Sequence, residues 1–213
     1  LAAHQLEILG GFHVKDDPTL PPGTRTLLLI GLKEPGFWPH LTAQPEWDGA
    51  PDPMDRWSRR VIGGVACDIG AKALFPFGGP PYWPFQRWAQ RAEPVFPSPL
   101  GLLIHPRHGL WHSYRGALAL ADDLAPDAPP PGANPCDSCA ARPCLLACPV
   151  GAFGAAGYDV DACAGWLRQA AGAECMGHGC RARLACPVAP AQAPAADQAA
   201  FGMRAFRAAR DLR

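Results

Sequence analysis

The sequence predicts an α/β domain followed by a small cysteine-rich domain. In residues 1–125, apolar runs of strand length alternate with segments in which apolar residues recur about every four positions. Residues 126–135 are rich in proline and are predicted to form a stiff linker. Eight of the nine cysteines follow it, between Cys136 and Cys186. We therefore predict a cofactor- or substrate-binding domain over 1–125, a cysteine-rich domain over 136–190 and an Ala-rich tail over 191–213.

Turn residues and apolar spacing define the elements of the first domain. Thr24–Leu32 follows a Pro-Pro-Gly turn and is predicted to be a buried strand. In 53–72 a four-residue apolar spacing predicts a helix with Asp52 as its N-cap, and Cys67 on that helix is predicted to be a small buried side chain. The other predicted elements are a strand at Ala73–Phe77, a helix at Tyr82–Ala92, a hairpin of strands Leu100–Ile104 and Leu110–Leu120, and a tail helix at Ala199–Arg210.

Charge and hydropathy narrow the classes of partner. Lys and Arg together number 19, and so do Asp and Glu, so the chain lacks the basic excess typical of nucleic-acid-binding proteins. No run approaches the ~18 apolar residues of a membrane helix. We therefore expect a cytoplasmic protein with no membrane partner. In such a reducing compartment, clustered cysteines favour a metal site over disulfides.

The spacing of the cysteines indicates two [4Fe–4S] clusters. The first run is Cys136-x2-Cys139-x4-Cys144-x3-Cys148-Pro149, and a second group ends in Cys186-Pro187. Bacterial two-cluster ferredoxins use three close cysteines and then a Cys-Pro whose sulfur binds the other cluster. Exchanging the fourth ligands in this way assigns cluster one to Cys136, Cys139, Cys144 and Cys186, and cluster two to Cys148, Cys163, Cys175 and Cys180.

Other uses of the same cysteines remain open at this point. Two zinc ions with four thiolates each would need the same number of cysteines, although only Cys136 and Cys139 form the usual Cys-x2-Cys pair. His178 lies between Cys175 and Cys180 and is an alternative ligand. Disulfides are the third alternative.

Two segments carry a resemblance to known families. The run Cys136–Phe153 followed by Tyr158–Cys163 resembles the dicluster ferredoxin module of epoxyqueuosine reductases. The stretch Leu102–Leu120 is similar to a segment of those reductases and of cobalamin-processing decyanases. The resemblance implies a nitroreductase-like α/β domain with a mixed sheet, a bound corrinoid and, by analogy with such domains, a homodimer.

One position departs from the reductase pattern. Gly79 stands where the reductases have the Asp that is taken as their proton donor. A glycine has no side chain to donate a proton, so the chain is not expected to be a standard epoxyqueuosine reductase. The C-terminal repeat region that those enzymes link to tRNA binding is also missing, and tRNA is not expected as a partner.

Polar residues of the predicted hairpin are candidates for holding a cofactor. His105, Arg107, His108, His112 and Arg115 would line one wall of a pocket, and Tyr82 would stack on a flat ligand. The alternatives are a solvated hairpin face and an ordinary helix start.

The sequence thus predicts an iron–sulfur redox protein served by a redox partner protein. We expect a reductase that passes electrons to a bound corrinoid or similar planar cofactor. An electron carrier without its own catalytic site and a corrinoid-reducing chaperone are the alternatives.

Overall fold

The computed structural model describes residues 1–15, 17–129 and 131–211, and these form two compact units. The first unit consists of Leu1–Pro94 and His112–Pro131, and the second of Val95–Trp111 and Gly132–Arg213. The elements in chain order are β1 (Leu6–His13), β2 (Thr26–Leu32), α1 (Phe37–Thr42), α2 (Pro53–Asp68), β3 (Lys72–Leu74), α3 (Phe85–Ala92), β4 (Phe96–Pro97), β5 (Leu103–Ile104), β6 (Tyr114–Leu120), α4 (Pro143–Leu146), β7 (Phe153–Gly154), β8 (Gly157–Tyr158), α5 (Val160–Leu167), α6 (Ala173–His178), α7 (Arg181–Leu184) and α8 (Ala196–Asp211).

The first unit is an α+β structure built on a four-stranded sheet with the strand order β1-β2-β6-β3. Each pairing in this sheet is antiparallel, so the expected mixed sheet is wrong. The strands β2 and β3 do run in the same direction, because both are antiparallel to β6. However, β6 lies between them, and no two parallel strands are neighbours in the described sheet.

The core of the first unit lies along the two central strands. Nearly all side chains of β2 and β6 are buried, which is typical of strands that are covered on both faces. Trp57 and Ile62 of α2 are fully buried, and a Cβ at Gly116 of β6 would lie 3.0 Å from Ile62 Cδ1. This close approach lets α2 pack directly on the sheet.

Several predicted elements are confirmed with shifted ends. The strand β2, the helix α2 and the tail helix α8 form where expected, and α3 buries the predicted apolar face of Phe85, Trp88 and Ala89. Asp52 occupies the N-cap position, but its side chain makes no capping hydrogen bond.

Cys67 is exposed, and the prediction of a buried side chain there is wrong. It lies near the end of α2, where the helix surface faces solvent and Ile69 is exposed as well.

The strand β1 has no counterpart among the predicted elements. It contains the Gly10-Gly11 pair, which weakens any strand pattern in the sequence. In the fold these glycines are required, since a Cβ at Gly10 would collide with the carbonyl oxygen of Ala92 at the end of α3. The register of β1 against β2 shifts between Ile8 and Gly10.

The predicted hairpin of Leu100–Ile104 and Leu110–Leu120 is wrong. β5 pairs with β4, whereas β6 pairs with β2 on one side and β3 on the other. Because both edges of β6 are taken, it has no edge left for a hairpin partner. Instead, His105 and Gly109 form an isolated antiparallel bridge that closes a tight turn.

The division into units differs from the predicted boundaries in the placement of Val95–Trp111. This segment was expected in the first domain, but it packs with the cysteine-rich residues. Leu100, Ile104 and Leu110 are buried in one cluster with Ala182 and Cys186. A Cβ at Gly109 would collide with the carbonyl oxygen of Val188, and φ at this glycine is +58°. The segment therefore supplies the large buried apolar side chains at the centre of this cluster.

Among the described residues, no helix combines the length and the apolar character needed to cross a membrane.

We predict that Gly10→Ala destabilises the protein by about 1–3 kcal/mol, since the added methyl group must push α3 away from β1. The matched control is Gly64→Ala on α2, where a Cβ meets nothing within 4 Å. This control should stabilise the protein by about 0.5–1 kcal/mol, because alanine has the higher helix propensity. Urea unfolding of both variants measures the difference, and equal effects of the two substitutions would contradict the close packing of α3 on β1.

Candidate metal centre

The second unit is built from short elements around a small apolar cluster. The helices α4 and α7 have four residues each, which is too short to be stable without tertiary contacts. They pack against each other and contribute to the cluster of Leu100, Ile104 and Leu110. Five cysteines are part of this cluster: Cys136, Cys144, Cys148, Cys180 and Cys186. Sulfur atoms thus occupy positions that apolar side chains fill in an ordinary core.

One group of four thiols gathers around α4 and the end of α7. Asn134 Oδ1 accepts a hydrogen bond from the Cys136 amide at 3.0 Å and fixes the start of the first cysteine run. Burial raises the pKa of the Cys136 thiol, and the negative charges that its neighbours would carry as thiolates raise it further. Burial and two of these neighbours likewise raise the pKa of Cys144. The members of this group, set one, are Cys136, Cys139, Cys144 and Cys186.

The other four thiols gather around α5, α6 and the start of α7. The Asp159 carboxylate caps α5 by accepting a hydrogen bond from the Ala162 amide, and this helix carries Cys163. Burial raises the pKa of Cys163 and of Cys180, and thiolates at the neighbouring cysteines raise both further. The members of this group, set two, are Cys148, Cys163, Cys175 and Cys180.

These groups follow the electrostatic neighbours of four cysteines, and the assignment of the two predicted ligand sets stays a prediction. Cys148 follows the three cysteines of set one in the sequence but lies with set two, and Cys186 shows the converse. Cluster binding by these thiols stays a prediction. All nine cysteines of the chain are free thiols in the structure. His178 is exposed on α6.

Gathering four thiols in a partly buried site favours a cationic or metallic ligand. Thiolates, not thiols, bind metals, and four thiolates together would repel one another unless positive charge compensates them. Among the described residues, no group of three or more His, Cys, Asp or Glu side chains is arranged so that it could hold a single metal ion. In a [4Fe–4S] cluster each of the four thiolates binds a different iron, so the four sulfurs do not have to meet at one ion.

Unpaired N–H donors in the second unit fit an iron–sulfur cluster. The Nε1 atoms of Trp111 and Trp166 and the Nε atom of Arg183 are inaccessible and have no hydrogen-bond partner among the described residues. Leaving such a donor unpaired costs about 1–3 kcal/mol. Trp166 lies one helical turn after Cys163, and Arg183 interacts with Cys180. Cluster sulfurs accept hydrogen bonds from such donors, so the surroundings of the cysteines suit the cofactor.

Three of the predicted cofactor-binding residues lie in the turn of the second unit. His105 is buried, and its Nδ1 accepts hydrogen bonds from the amides of Arg107 and His108. Burial lowers the pKa of His105 to about 4, so its ring is neutral at pH 7. His108 Nδ1 lies 3.0 Å from Gln192 Oε1, and Gln192 Nε2 donates to the Arg107 carbonyl. These contacts hold the turn to the segment that follows the last cysteine.

The other predicted residues lie in the first unit, so the expected single hairpin face is not formed. The Arg115 guanidinium is buried, donates to Ser58 Oγ at 3.1 Å, pairs with Asp55 and lies 4.9 Å from the centre of the Phe77 ring. Tyr82 is 66% exposed. Arg115 therefore has its partners within the protein, and its contacts account for it as a structural residue.

The backbone conformation at position 79 explains why a glycine stands there. Its φ of +94° lies in the left-handed region that favours glycine, and the cis Pro80–Pro81 bond follows it. An aspartate would be strained in this backbone conformation.

A buried carboxyl group in the first unit was missed by the sequence reasoning. Glu93 is buried at the end of α3 and accepts a hydrogen bond from the Tyr114 hydroxyl at 2.7 Å. The Tyr114 oxygen also lies 3.0 Å from His112 Nε2. Burial raises the pKa of Glu93 to about 7, against the opposing effect of the Tyr114 hydrogen bond. Nothing in the sequence marks this glutamate, because the residues that bury it come from distant parts of the chain.

We predict that Glu93 makes the protein less stable as the pH rises from 5 to 8. The pKa is higher in the folded state, so the folded protein retains the proton while the unfolded chain loses it. The contribution is complete below the unfolded pKa of ~4.3 and lost above about 7, with a total of about 4 kcal/mol. Urea unfolding at several pH values should show a weaker pH dependence in Glu93→Gln than in the wild type. Identical slopes for the two proteins would refute the raised pKa, and Glu174→Gln at an exposed site is the control.

In comparisons with known proteins, no protein-family model matches this chain, and no curated protein matches it at a significant level.

Proposed function

We propose that the chain is an iron–sulfur redox protein whose second unit binds two [4Fe–4S] clusters. The observation that supports this is the grouping of eight thiols into two sets of four within one small unit. Eight thiolates are the number that two such clusters require. Set one would hold one cluster and set two the other.

The clusters would supply one-electron storage and transfer. The chain contributes thiolate ligands and a partly apolar shell that limits the access of water. Phe96, Leu145, Phe153 and Val188 pack around the buried cluster of Leu100, Ile104 and Leu110. Such a shell tunes the potential of a metal site, because it determines solvent exposure and the local dielectric constant.

Electron transfer is the part of the predicted function that the geometry favours. Arg115 and His105 have partners inside their own units, so their contacts do not require a corrinoid. A redox partner protein would deliver the electrons. Delivery of those electrons to a bound corrinoid stays a prediction. Titration of cobalamin into the loaded protein tests it: a shifted corrinoid spectrum favours the reductase, and an unchanged spectrum favours the electron carrier.

We predict about eight iron and eight sulfide per chain after anaerobic purification, with a brown absorbance band that dithionite bleaches. Cys139→Ser in set one and Cys163→Ser in set two should each lower the iron content to about four per chain. The control is Cys67→Ser, which changes an exposed thiol of the first unit and should retain all the iron.

A different metal content would overturn this proposal. A colourless protein with about two zinc and no sulfide would make both sets structural zinc sites. Iron that is lost completely in only one of the two variants would show that a single cluster is bound.

A further inference from the structure

Three ionisable side chains of the first unit form a hydrogen-bonded triad that is separate from the cysteines. Glu93 is 6% exposed at the end of α3, and its Oε1 atom lies 2.7 Å from the Tyr114 hydroxyl oxygen. The same oxygen lies 3.0 Å from His112 Nε2. Both distances are those of ordinary hydrogen bonds. The Tyr114 hydroxyl therefore bridges the carboxyl group and the imidazole ring.

A β-bulge lies at this point of β6. Tyr114 and Gly116 are opposite neighbouring residues of β2, so Arg115 is an extra residue in β6. Bulges redirect side chains and occur often beside functional sites. Here the bulged residue pairs with Asp55 of α2, while Tyr114 contacts the carboxyl group at the end of α3.

The single hydrogen of the Tyr114 hydroxyl restricts the arrangement of protons in the triad. This hydroxyl cannot donate to Glu93 and to His112 at the same time. An ionised Glu93 carboxylate only accepts, so the hydroxyl must donate to it. The Tyr114 oxygen then faces His112 as an acceptor, and Nε2 must carry a hydrogen. A protonated Glu93 can donate to the Tyr114 oxygen instead, and the hydroxyl hydrogen can then point at an unprotonated Nε2.

We propose that the charge of Glu93 sets the tautomer of His112 through the Tyr114 hydroxyl. With the carboxylic acid, Glu93 donates to Tyr114, Tyr114 donates to Nε2, and the neutral ring carries its hydrogen on Nδ1. With the carboxylate, Tyr114 donates to Glu93 and Nε2 carries the hydrogen. The change breaks the Glu93 O–H bond and releases that proton to solvent, while one N–H bond breaks at Nδ1 and one forms at Nε2. The Nδ1 atom thus changes from a donor to an acceptor as the pH rises.

The surroundings of Glu93 place this change near neutral pH. Burial raises the pKa of Glu93 to about 7 against the effect of the Tyr114 hydrogen bond. Glu7 on β1, a strand that packs against α3, also disfavours the carboxylate, and β2 carries no ionisable side chain. The other ionisable groups on these strands and on α3 are paired, exposed or opposite another part of β6: His13 with Asp123, Arg115 with Asp55, Arg87 and Arg91 in solvent, and Lys72 opposite Ala119.

Two substitutions separate the members of the triad. Glu93→Gln keeps a hydrogen-bond donor at the carboxyl position and removes the charge, so it imitates the carboxylic acid at every pH. Tyr114→Phe removes the bridging hydroxyl and keeps the ring and the other two groups. Tyr82→Phe is the matched control, because Tyr82 is in the same unit and is 66% exposed.

The test is infrared difference spectroscopy of the full chain with ring-¹³C-labelled histidine, since the ring vibrations of the two imidazole tautomers differ. The band of His112 is identified by its loss in His112→Gln. In the wild type, the carbonyl band of protonated Glu93 should disappear with a midpoint near pH 7. The His112 band should change from the Nδ1–H form to the Nε2–H form with the same midpoint.

The variants isolate the bridging hydroxyl as the link. About one pH unit above the Glu93 midpoint, the wild type should show the Nε2–H form and Glu93→Gln the Nδ1–H form. In a Tyr114→Phe background, Glu93→Gln should no longer change the tautomer, because no hydroxyl connects the two groups. Tyr82→Phe should retain the wild-type change.

Three results would overturn the inference. The first is the same tautomer in the wild type and in Glu93→Gln. The second is an effect of Glu93→Gln that persists without the Tyr114 hydroxyl, since the charge would then act directly through space. The third is loss of the change in Tyr82→Phe as well. If a variant does not fold, the wild-type titration still decides, because separate midpoints for the Glu93 and His112 bands contradict the link. None of these outcomes depends on bound iron.

Discussion

The packing of α4 against α7 is the contact on which the second unit depends. Each helix has four residues and would not persist alone, so the two are stable only together and against the apolar side chains beneath them. Cys144 lies within α4 and Cys148 just after it, while Cys180 and Cys186 flank α7. One helix pair therefore carries two cysteines of each set. This placement suits the predicted exchange of the fourth ligands between the two sets.

The same contact explains why Val95–Trp111 belongs with the cysteines rather than with the sheet. A unit rich in alanine, glycine and cysteine has few large apolar side chains of its own. Leu100, Ile104 and Leu110 supply them, and the Arg183 guanidinium fixes the end of the segment through the Leu110 carbonyl. Arg183 thus anchors this segment to α7.

In the first unit, the strand pairing depends on the central position of β6, as the second unit depends on the contact between α4 and α7. With β2 on one side and β3 on the other, its hydrogen-bonding edges are complete. The residues before β6 cannot join it in a hairpin, and the polar residues expected on one hairpin face are divided between the units. Glu93 gains its environment in a similar way, since α3 ends where Tyr114 begins β6.

The sequence by itself determined the elements whose signal is local. The apolar spacing of α2 and α3 and the buried run of β2 could be read from the order of residues, because periodicity is a property of neighbouring positions. The division of the cysteines into two ligand sets stays a prediction from their spacing. Only the tertiary structure decided the strand order, the unit to which Val95–Trp111 belongs, the need for Gly10 and the burial of Glu93. Each of these depends on contacts between residues far apart in the chain. Such contacts are selected by which surfaces can be buried together, and a single sequence does not display that selection.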